Sequence, residues 1–191
     1  FWQPRGVIID PEVLSTLDDR QIAAGLAEAL KMGLILDPEL VDLFELDPLP
    51  VDDIIARSID LKRMIVEDDE KEQGRRALLN FGHTVGHALE GAAGLNTWLH
   101  GECVAAGMDF MLDDDALRQR VARLTKKLGL PEIPVPDTDL LMDYIRHDKK
   151  TGDDGITIVT VDQAGQGQLS RVSFEEVRRR IDARRQETEH E

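Results

Sequence analysis

The segment LLNFGHTVGHALEG, residues 78–91, carries two histidines four positions apart, and each follows a glycine. Histidines at positions i and i+4 of a helix project from one face and can share a divalent metal ion. A glycine inside a helix costs about 1 kcal/mol relative to alanine, so Gly82 and Gly86 predict close approach of another backbone or a ligand. The spacing of His83 and His87 therefore predicts a metal or ligand site.

A continuous helix over residues 72–90 would place six polar side chains within an arc of roughly 80°. They are Glu72, Arg76, Asn80, His83, His87 and Glu90. A solvent-exposed helix face usually carries Lys, Glu and Gln, whereas this one combines two imidazoles, an amide and a guanidinium. The alternative is a solvent-exposed face that happens to hold two histidines. His100, in the sequence HGE, adds a third imidazole nearby and favours a functional site.

The segment 22–35 is almost entirely apolar or glycine, which predicts a helix buried on nearly all sides. Glu28 and Lys31 interrupt it, and buried charges are costly unless they are paired or liganded. They form either a simple buried ion pair or a metal-bound carboxylate beside a lysine that binds an anionic substrate. A second basic pair, Lys149 and Lys150, either binds an anion or lies in a solvated turn.

The elements that would carry these residues are mostly helical. Helical periodicity and capping residues predict helices over residues 17–36, 38–46, 52–72, 72–91, 101–112, 114–128, 139–150 and 173–185. ITIVTV and GQLSRVS predict a two-stranded hairpin near 156–172, and GVIID, residues 6–10, either adds a strand or leads into the first helix. The expected fold is mainly α, with one domain over 1–185 and a disordered tail over 186–191.

The composition limits the classes of partner. The chain has 23 Lys and Arg against 38 Asp and Glu, a net charge of −15, which argues against nucleic acids and anionic membranes as main partners. A few converging basic residues can still hold a small anion. Cys103 is the single cysteine, which excludes an intramolecular disulfide and fits the reducing cytoplasm. No apolar run approaches the roughly 20 residues that span a bilayer.

Taken together, these motifs resemble the C-terminal, mainly helical domain of the 3-dehydroquinate synthase family. The resemblance runs in family order from near the first residue to about residue 180. The matching segments are QPRGVIIDPEVLSTL, GLAEALKMGLI, LKRMIVEDDEKEQGRRALLNFGHTVGHALE, HGECVAAGM and DKKTGDDGITIVTV.

The resemblance implies a metal ion, zinc or cobalt, bound by Glu28, His83 and His100. It leaves His87 for the substrate, whereas spacing alone would put both helix histidines on the metal. The implied substrate-side residues are Lys31, Lys62, Arg76, Asn80, His87 and one of Lys149 and Lys150, with Glu72 near the site.

The implied reaction converts 3-deoxy-D-arabino-heptulosonate 7-phosphate to 3-dehydroquinate and phosphate, a step of the shikimate pathway of aromatic amino acid biosynthesis. NAD oxidises a substrate hydroxyl transiently and returns the hydride after phosphate has left. The resemblance also implies a homodimer and an N-terminal half that carries most NAD contacts. AGQGQLS lacks the third glycine of a dinucleotide fingerprint and is predicted to be a hairpin turn. This chain alone is expected to bind metal without turnover.

Three alternatives stay open at this point. Iron-dependent alcohol dehydrogenases share the general fold, but a simple dehydrogenase has no phosphate and carboxylate to hold with residues such as Arg76 and Asn80. Sugar-phosphate cyclases that make cyclitols are harder to separate. The third alternative is a helical metal-binding fragment without catalytic activity.

Overall fold

The computed structural model describes residues 4–72, 74–94, 97–148 and 155–188. The helices are α1 Asp19–Leu36, α2 Pro38–Leu43, α3 Val51–Asp68, α4 His83–Ala93, α5 His100–Asp109, α6 Asp115–Lys127, α7 Thr138–Asp148 and α8 Phe174–Thr188. Two short 3₁₀ helices, Pro11–Thr16 and Arg75–Asn80, and the strands β1 Gly155–Val161 and β2 Gly167–Ser173 complete the fold. The prediction of a mainly α fold with one hairpin is confirmed.

Helix α1 lies at the centre of the fold and packs against α2, α3 and α5. It begins where predicted, because the Asp18 carboxylate accepts a hydrogen bond from the Gln21 N–H at 2.8 Å. Its residues from Ala23 to Ile35 are buried on most sides, as the apolar sequence predicted. One hydrophobic core includes residues of every α-helix and of β1. Two of the elements that carry candidate site residues, α3 and α5, therefore pack directly on this helix.

The prediction of a single helix over residues 72–91 is wrong. The chain forms the 3₁₀ helix up to Asn80, turns, and begins α4 at His83. The turn occurs at Gly82, whose φ of +76° lies in the left-handed region that favours glycine. Glu72 also has a positive φ, 55°, and lies outside any helix. The six polar residues therefore do not share one helical face, and a bend in the chain brings them to the site instead.

Helices α4 and α5 pack with their backbones in contact, and glycines make this possible. A Cβ on Gly82 would lie 2.7 Å from the Val104 carbonyl oxygen, and one on Gly86 would lie 2.9 Å from the Cys103 carbonyl oxygen. From the opposite side, a Cβ on Gly107 would lie 2.0 Å from the carbonyl oxygen of Gly82. The prediction that the two glycines admit another backbone is confirmed, and that backbone is α5.

The hairpin pairs β1 with β2 in antiparallel register, with Ile158 opposite Ser170. Its turn packs on the end of α1, where the Gly165 N–H donates to the Leu34 carbonyl at 2.8 Å. The predicted turn in AGQGQLS is confirmed. The predicted cap of the last helix is confirmed too, since the Ser173 hydroxyl accepts from the Glu176 N–H at 3.2 Å.

The two ends of the chain add little regular structure. Residues 6–10 form no strand and are exposed, so GVIID leads into the first 3₁₀ helix. Helix α8 extends to Thr188, into the segment predicted as a tail, and residues 189–191 lie outside the described part. Among the described residues, none of the helices has the length and apolar character required to cross a bilayer.

Cys103 is buried, and burial raises the pKa of its thiol to about 12.

Candidate metal and anion site

Three histidines from α4 and α5 meet at one end of the helix pair. The ring centroid of His83 lies 5.3 Å from that of His87 and 5.1 Å from that of His100. One ring nitrogen from each residue lies within 4.8 Å of the others. By donor type and spacing, the three imidazoles are a candidate metal cluster.

Glu28 of α1 reaches the same place with a carboxylate. Its Oε1 lies 3.8 Å from His83 Nε2 and 3.7 Å from His100 Nε2. This oxygen is buried and has no hydrogen-bond partner among the described residues, while Oε2 accepts from Lys31 Nζ at 2.7 Å. Ligand atoms bound to zinc at about 2.0–2.2 Å lie about 3.3–3.6 Å apart in a tetrahedral site. Glu28, His83 and His100 therefore fit a divalent cation after a small contraction.

The other ring nitrogen of each of these two histidines is occupied. His83 Nδ1 lies 3.1 Å from the Phe81 carbonyl oxygen, and His100 Nδ1 lies 3.2 Å from Glu90 Oε2. An acceptor at Nδ1 fixes the tautomer that carries its proton there and leaves the Nε2 lone pair for a metal. Glu90, which the sequence placed near the site without a role, thus orients His100.

The charges around Glu28 favour the protonation states that bind metal. Burial alone would raise the pKa of Glu28, but the charge of the Lys31 ammonium and its hydrogen bond hold this pKa below its ordinary value. Burial, together with the nearby Lys31 charge, lowers the pKa of His83 to about 4. Burial also lowers the pKa of Lys31, which Glu28 opposes. An ionised carboxylate and a neutral imidazole are the forms that coordinate zinc.

A cavity of about 450 Å³ opens beside this cluster, between α1, α3 and the 3₁₀ helix Arg75–Asn80. Seven of the predicted site residues line it: Glu28, Lys31, Lys62, Glu72, Arg76, Asn80 and His83. His87 and His100 are not on this wall and belong to the adjoining histidine cluster. Lys149 and Lys150 lie outside the described residues.

Hydrogen bonds hold the polar wall of the cavity in place. Arg76 Nη1 donates to the Glu70 carbonyl at 2.7 Å, and Asn80 Nδ2 donates to Glu72 Oε1 at 2.8 Å. Glu72 thus orients Asn80. The cavity combines cations, an amide and a candidate metal site, which are the groups that bind a phosphorylated, hydroxylated or carboxylated molecule.

Sequence reasoning missed Ser58, which also lines the cavity. Ser58 lies one helical turn before Lys62 on α3, so this spacing was the available signal. Its hydroxyl donates to the Ile54 carbonyl at 2.6 Å, as serines within helices commonly do.

Comparison with known proteins decides the family. A family model described as 3-dehydroquinate synthase C-terminal matches residues 25–151. The chain belongs to this family. Among similar 3-dehydroquinate synthases, the one from Lactococcus lactis subsp. cremoris strain MG1363 is 40% identical over 195 residues, covering 93% of this chain and 55% of the relative. The one from Geobacter metallireducens is 40% identical over 179 residues, covering 83% of this chain and 49% of the relative. This 3-dehydroquinate synthase C-terminal domain spans about half the length of the relatives that it matches.

Solved structures of sugar-phosphate cyclases share the fold of this 3-dehydroquinate synthase family member. The 2-epi-5-epi-valiolone synthase ValA from Streptomyces hygroscopicus subsp. jinggangensis 5008, with NAD+ and Zn2+ bound, superposes with a TM-score of 0.77 at 28% identity over 91% of this chain and 54% of that chain. A 2-deoxy-scyllo-inosose synthase complexed with carbaglucose-6-phosphate, NAD+ and Co2+ gives a TM-score of 0.74 at 25% identity over 91% and 54%. The predicted family and fold class are therefore confirmed.

Proposed function

We propose that this chain is the metal- and substrate-binding half of a 3-dehydroquinate synthase, a phosphate-eliminating lyase of the shikimate pathway that makes 3-dehydroquinate from 3-deoxy-D-arabino-heptulosonate 7-phosphate. The observation that carries the proposal is the position of Glu28 Oε1, which lies 3.8 and 3.7 Å from the Nε2 atoms of His83 and His100 and has no hydrogen-bond partner among the described residues. The cationic cavity beside it would take the phosphorylated substrate.

Glu28, His83 and His100 would hold the Zn2+ or Co2+ ion, with Glu28 binding through Oε1 because Lys31 occupies Oε2. Bound there, the ion would act as a Lewis acid on hydroxyl oxygens of the substrate. Two imidazoles and one carboxylate are the donor set of a catalytic site, which keeps coordination positions open.

The polar residues of the cavity wall would bind the substrate. Lys62 and Arg76 supply positive charge for a phosphate and a carboxylate, and Asn80, oriented by Glu72, supplies a hydrogen-bond donor. Lys31 pairs with Glu28 and also lines the cavity, so its positive charge lies between the metal site and the cavity. The family resemblance adds His87 and one of the lysines in the DKK sequence at 148–150.

NAD would act as the transient hydride acceptor and bind mainly to an N-terminal half, which the resemblance implies and which the length of the relatives supports. The resemblance likewise supports a homodimer. The single cysteine, Cys103, suits a cytoplasmic enzyme.

Fusing the chain to an N-terminal half from a relative tests the proposal. We expect the chain alone to give negligible 3-dehydroquinate. The chain fused behind the N-terminal half of the Lactococcus lactis relative should turn over the heptulosonate phosphate when NAD and zinc are supplied. The fusion carrying His83→Ala is the control and should be inactive. Robust product from the unfused chain, or an inactive but folded, zinc-loaded fusion, would contradict the proposal.

The structural relatives supply a second candidate function, a cyclase that makes cyclitols from other sugar phosphates. The same fusion can be offered glucose 6-phosphate and sedoheptulose 7-phosphate beside the heptulosonate phosphate. We expect the highest kcat/KM with the heptulosonate phosphate, because the 3-dehydroquinate synthases are 40% identical to this chain whereas the two cyclases are 28% and 25% identical. A preference for either other sugar phosphate would favour the second function.

Lys62 offers a test of the anion-binding wall. Changing Lys62→Met in the fusion should raise KM for the heptulosonate phosphate roughly 10- to 100-fold, since a charge-assisted hydrogen bond contributes about 1.5–3 kcal/mol. The matched control is Lys126→Met on α6, an exposed lysine outside the cavity, which should leave KM unchanged. Steady-state kinetics with both variants would detect the difference, and equal KM values would refute the role of Lys62.

A further inference from the structure

An ion pair outside the cavity ties α1 to α5. Arg20 Nε lies 2.5 Å from Glu102 Oε1, and Arg20 Nη2 lies 2.7 Å from Glu102 Oε2, so the guanidinium binds the carboxylate with two parallel hydrogen bonds. The side chain of Glu102 is 0% exposed. Arg20 Nη2 also donates to the Thr97 carbonyl at 3.1 Å. Neither Arg20 nor Glu102 lines the cavity described above.

Glu102 also fixes the start of α5. Its Oε2 accepts from the backbone N–H of Leu99 at 2.8 Å, and Leu99 directly precedes His100, the first residue of the helix. A glutamate in the third helical position that binds the N–H of the capping residue holds the first turn of a helix in place. The backbone position of His100 therefore depends on the Glu102 carboxylate.

The contacts between α1 and the start of α5 follow one line along α1. Arg20 binds Glu102, a Cβ on Gly101 would lie 2.0 Å from the Ala24 carbonyl oxygen, and Glu28 Oε1 lies 3.7 Å from His100 Nε2. Residues 20, 24 and 28 are one helical turn apart and share one face of α1. The consecutive residues of the HGE sequence thus meet consecutive turns of α1.

We propose that the Arg20–Glu102 pair is a positioning device that holds α5 against α1 at the spacing that lets Glu28 and His100 bind the same metal ion. This inference rests on the proposed metal site. Arg20 acts through backbone and helix placement, since the hydrogen bonds that its side chain makes among the described residues go to Glu102 and the Thr97 carbonyl. Removing a group that hydrogen-bonds a metal ligand directly changes metal affinity about 10- to 100-fold, and we expect the same range here because the pair sets the distance between two ligands.

The test is to measure the zinc affinity of the purified chain and of its variants by competition with a chromogenic chelator. Arg20→Gln and Glu102→Gln should weaken zinc binding about 10- to 100-fold. Arg20→Lys should have an intermediate effect, because an ammonium keeps the charge but not the two parallel bonds. The visible absorption of Co2+ bound to Arg20→Lys should differ from that of the wild type, since the ligand geometry changes.

The matched control is Arg120→Gln, which removes an arginine that pairs with Asp42 and Glu45 and ties α6 to α2. We expect it to lower the thermal midpoint of the metal-free chain without changing zinc affinity. Wild-type zinc affinity in Arg20→Lys and in whichever glutamine variants fold would overturn the inference. Absence of stoichiometric zinc in the wild type would instead overturn the proposed function, and this measurement comes first.

Discussion

Changing Glu28→Gln, His83→Ala or His100→Ala should abolish stoichiometric zinc binding, whereas His87→Asn should retain the metal. The glutamine is nearly isosteric and can still accept from Lys31, so Glu28→Gln removes mainly the charge at Oε1. We expect the affinity to fall by more than about 100-fold, because the loss of an outer partner alone costs about 10- to 100-fold. Metal analysis after dialysis and chelator competition would measure both effects.

The rival assignment uses the three imidazoles alone. His83, His87 and His100 offer nitrogens within 4.8 Å of one another, so His87 is near enough to replace Glu28 as a ligand. The buried Oε1 of Glu28 has no hydrogen-bond partner in the part of the chain that the structure describes, which favours the carboxylate as a ligand, because a buried anionic oxygen without a partner is costly in the absence of a cation. Retention of zinc in Glu28→Gln together with its loss in His87→Asn would establish the three-histidine set. Far-UV circular dichroism of each variant would show that the helices remain.

Periodicity was sufficient to predict α1, the hairpin and the cap at Ser173, because each depends on residues close together in the sequence. It could not reveal the break at Gly82. A single glycine in an otherwise periodic segment is also compatible with a continuous helix, and the reason for the break is α5, whose Val104 and Gly107 lie more than twenty residues away. Contacts with a distant segment thus overrode the local preference.

In the candidate site, too, the sequence predicted the local features but not those that depend on contacts between distant segments. Spacing alone paired His83 with His87, because both lie on one helix. The structure keeps His87 close to His83 and also brings Glu28 of α1 and His100 of α5 there, and only the family resemblance had grouped Glu28, His83 and His100. The Arg20–Glu102 pair joins residues 82 positions apart and leaves no periodic pattern, so the sequence could not indicate it. Helix spacing predicts which residues share a face, but not which face a second helix will meet.

Gly107→Ala should cause a large loss of stability. The new Cβ would lie 2.0 Å from the Gly82 carbonyl oxygen and 2.7 Å from the Gly86 nitrogen. Both are backbone atoms of the α4 segment and cannot rotate away, so α4 and α5 would have to separate. We expect the free energy of unfolding to fall by about 3 kcal/mol or more. Because α4 carries His83 and α5 carries His100, zinc affinity should fall as well.

Gly25→Ala is the matched control for this change. Gly25 lies inside α1, and a Cβ there would have nothing within 4 Å. We expect Gly25→Ala to leave stability unchanged or to raise it by up to about 1 kcal/mol, since alanine is the better helix former. Urea denaturation of both variants, followed by circular dichroism, would give the two free energies. Equal midpoints for Gly107→Ala and the wild type would mean that α4 and α5 are not in backbone contact, and the glycines of the histidine segment would then need another explanation.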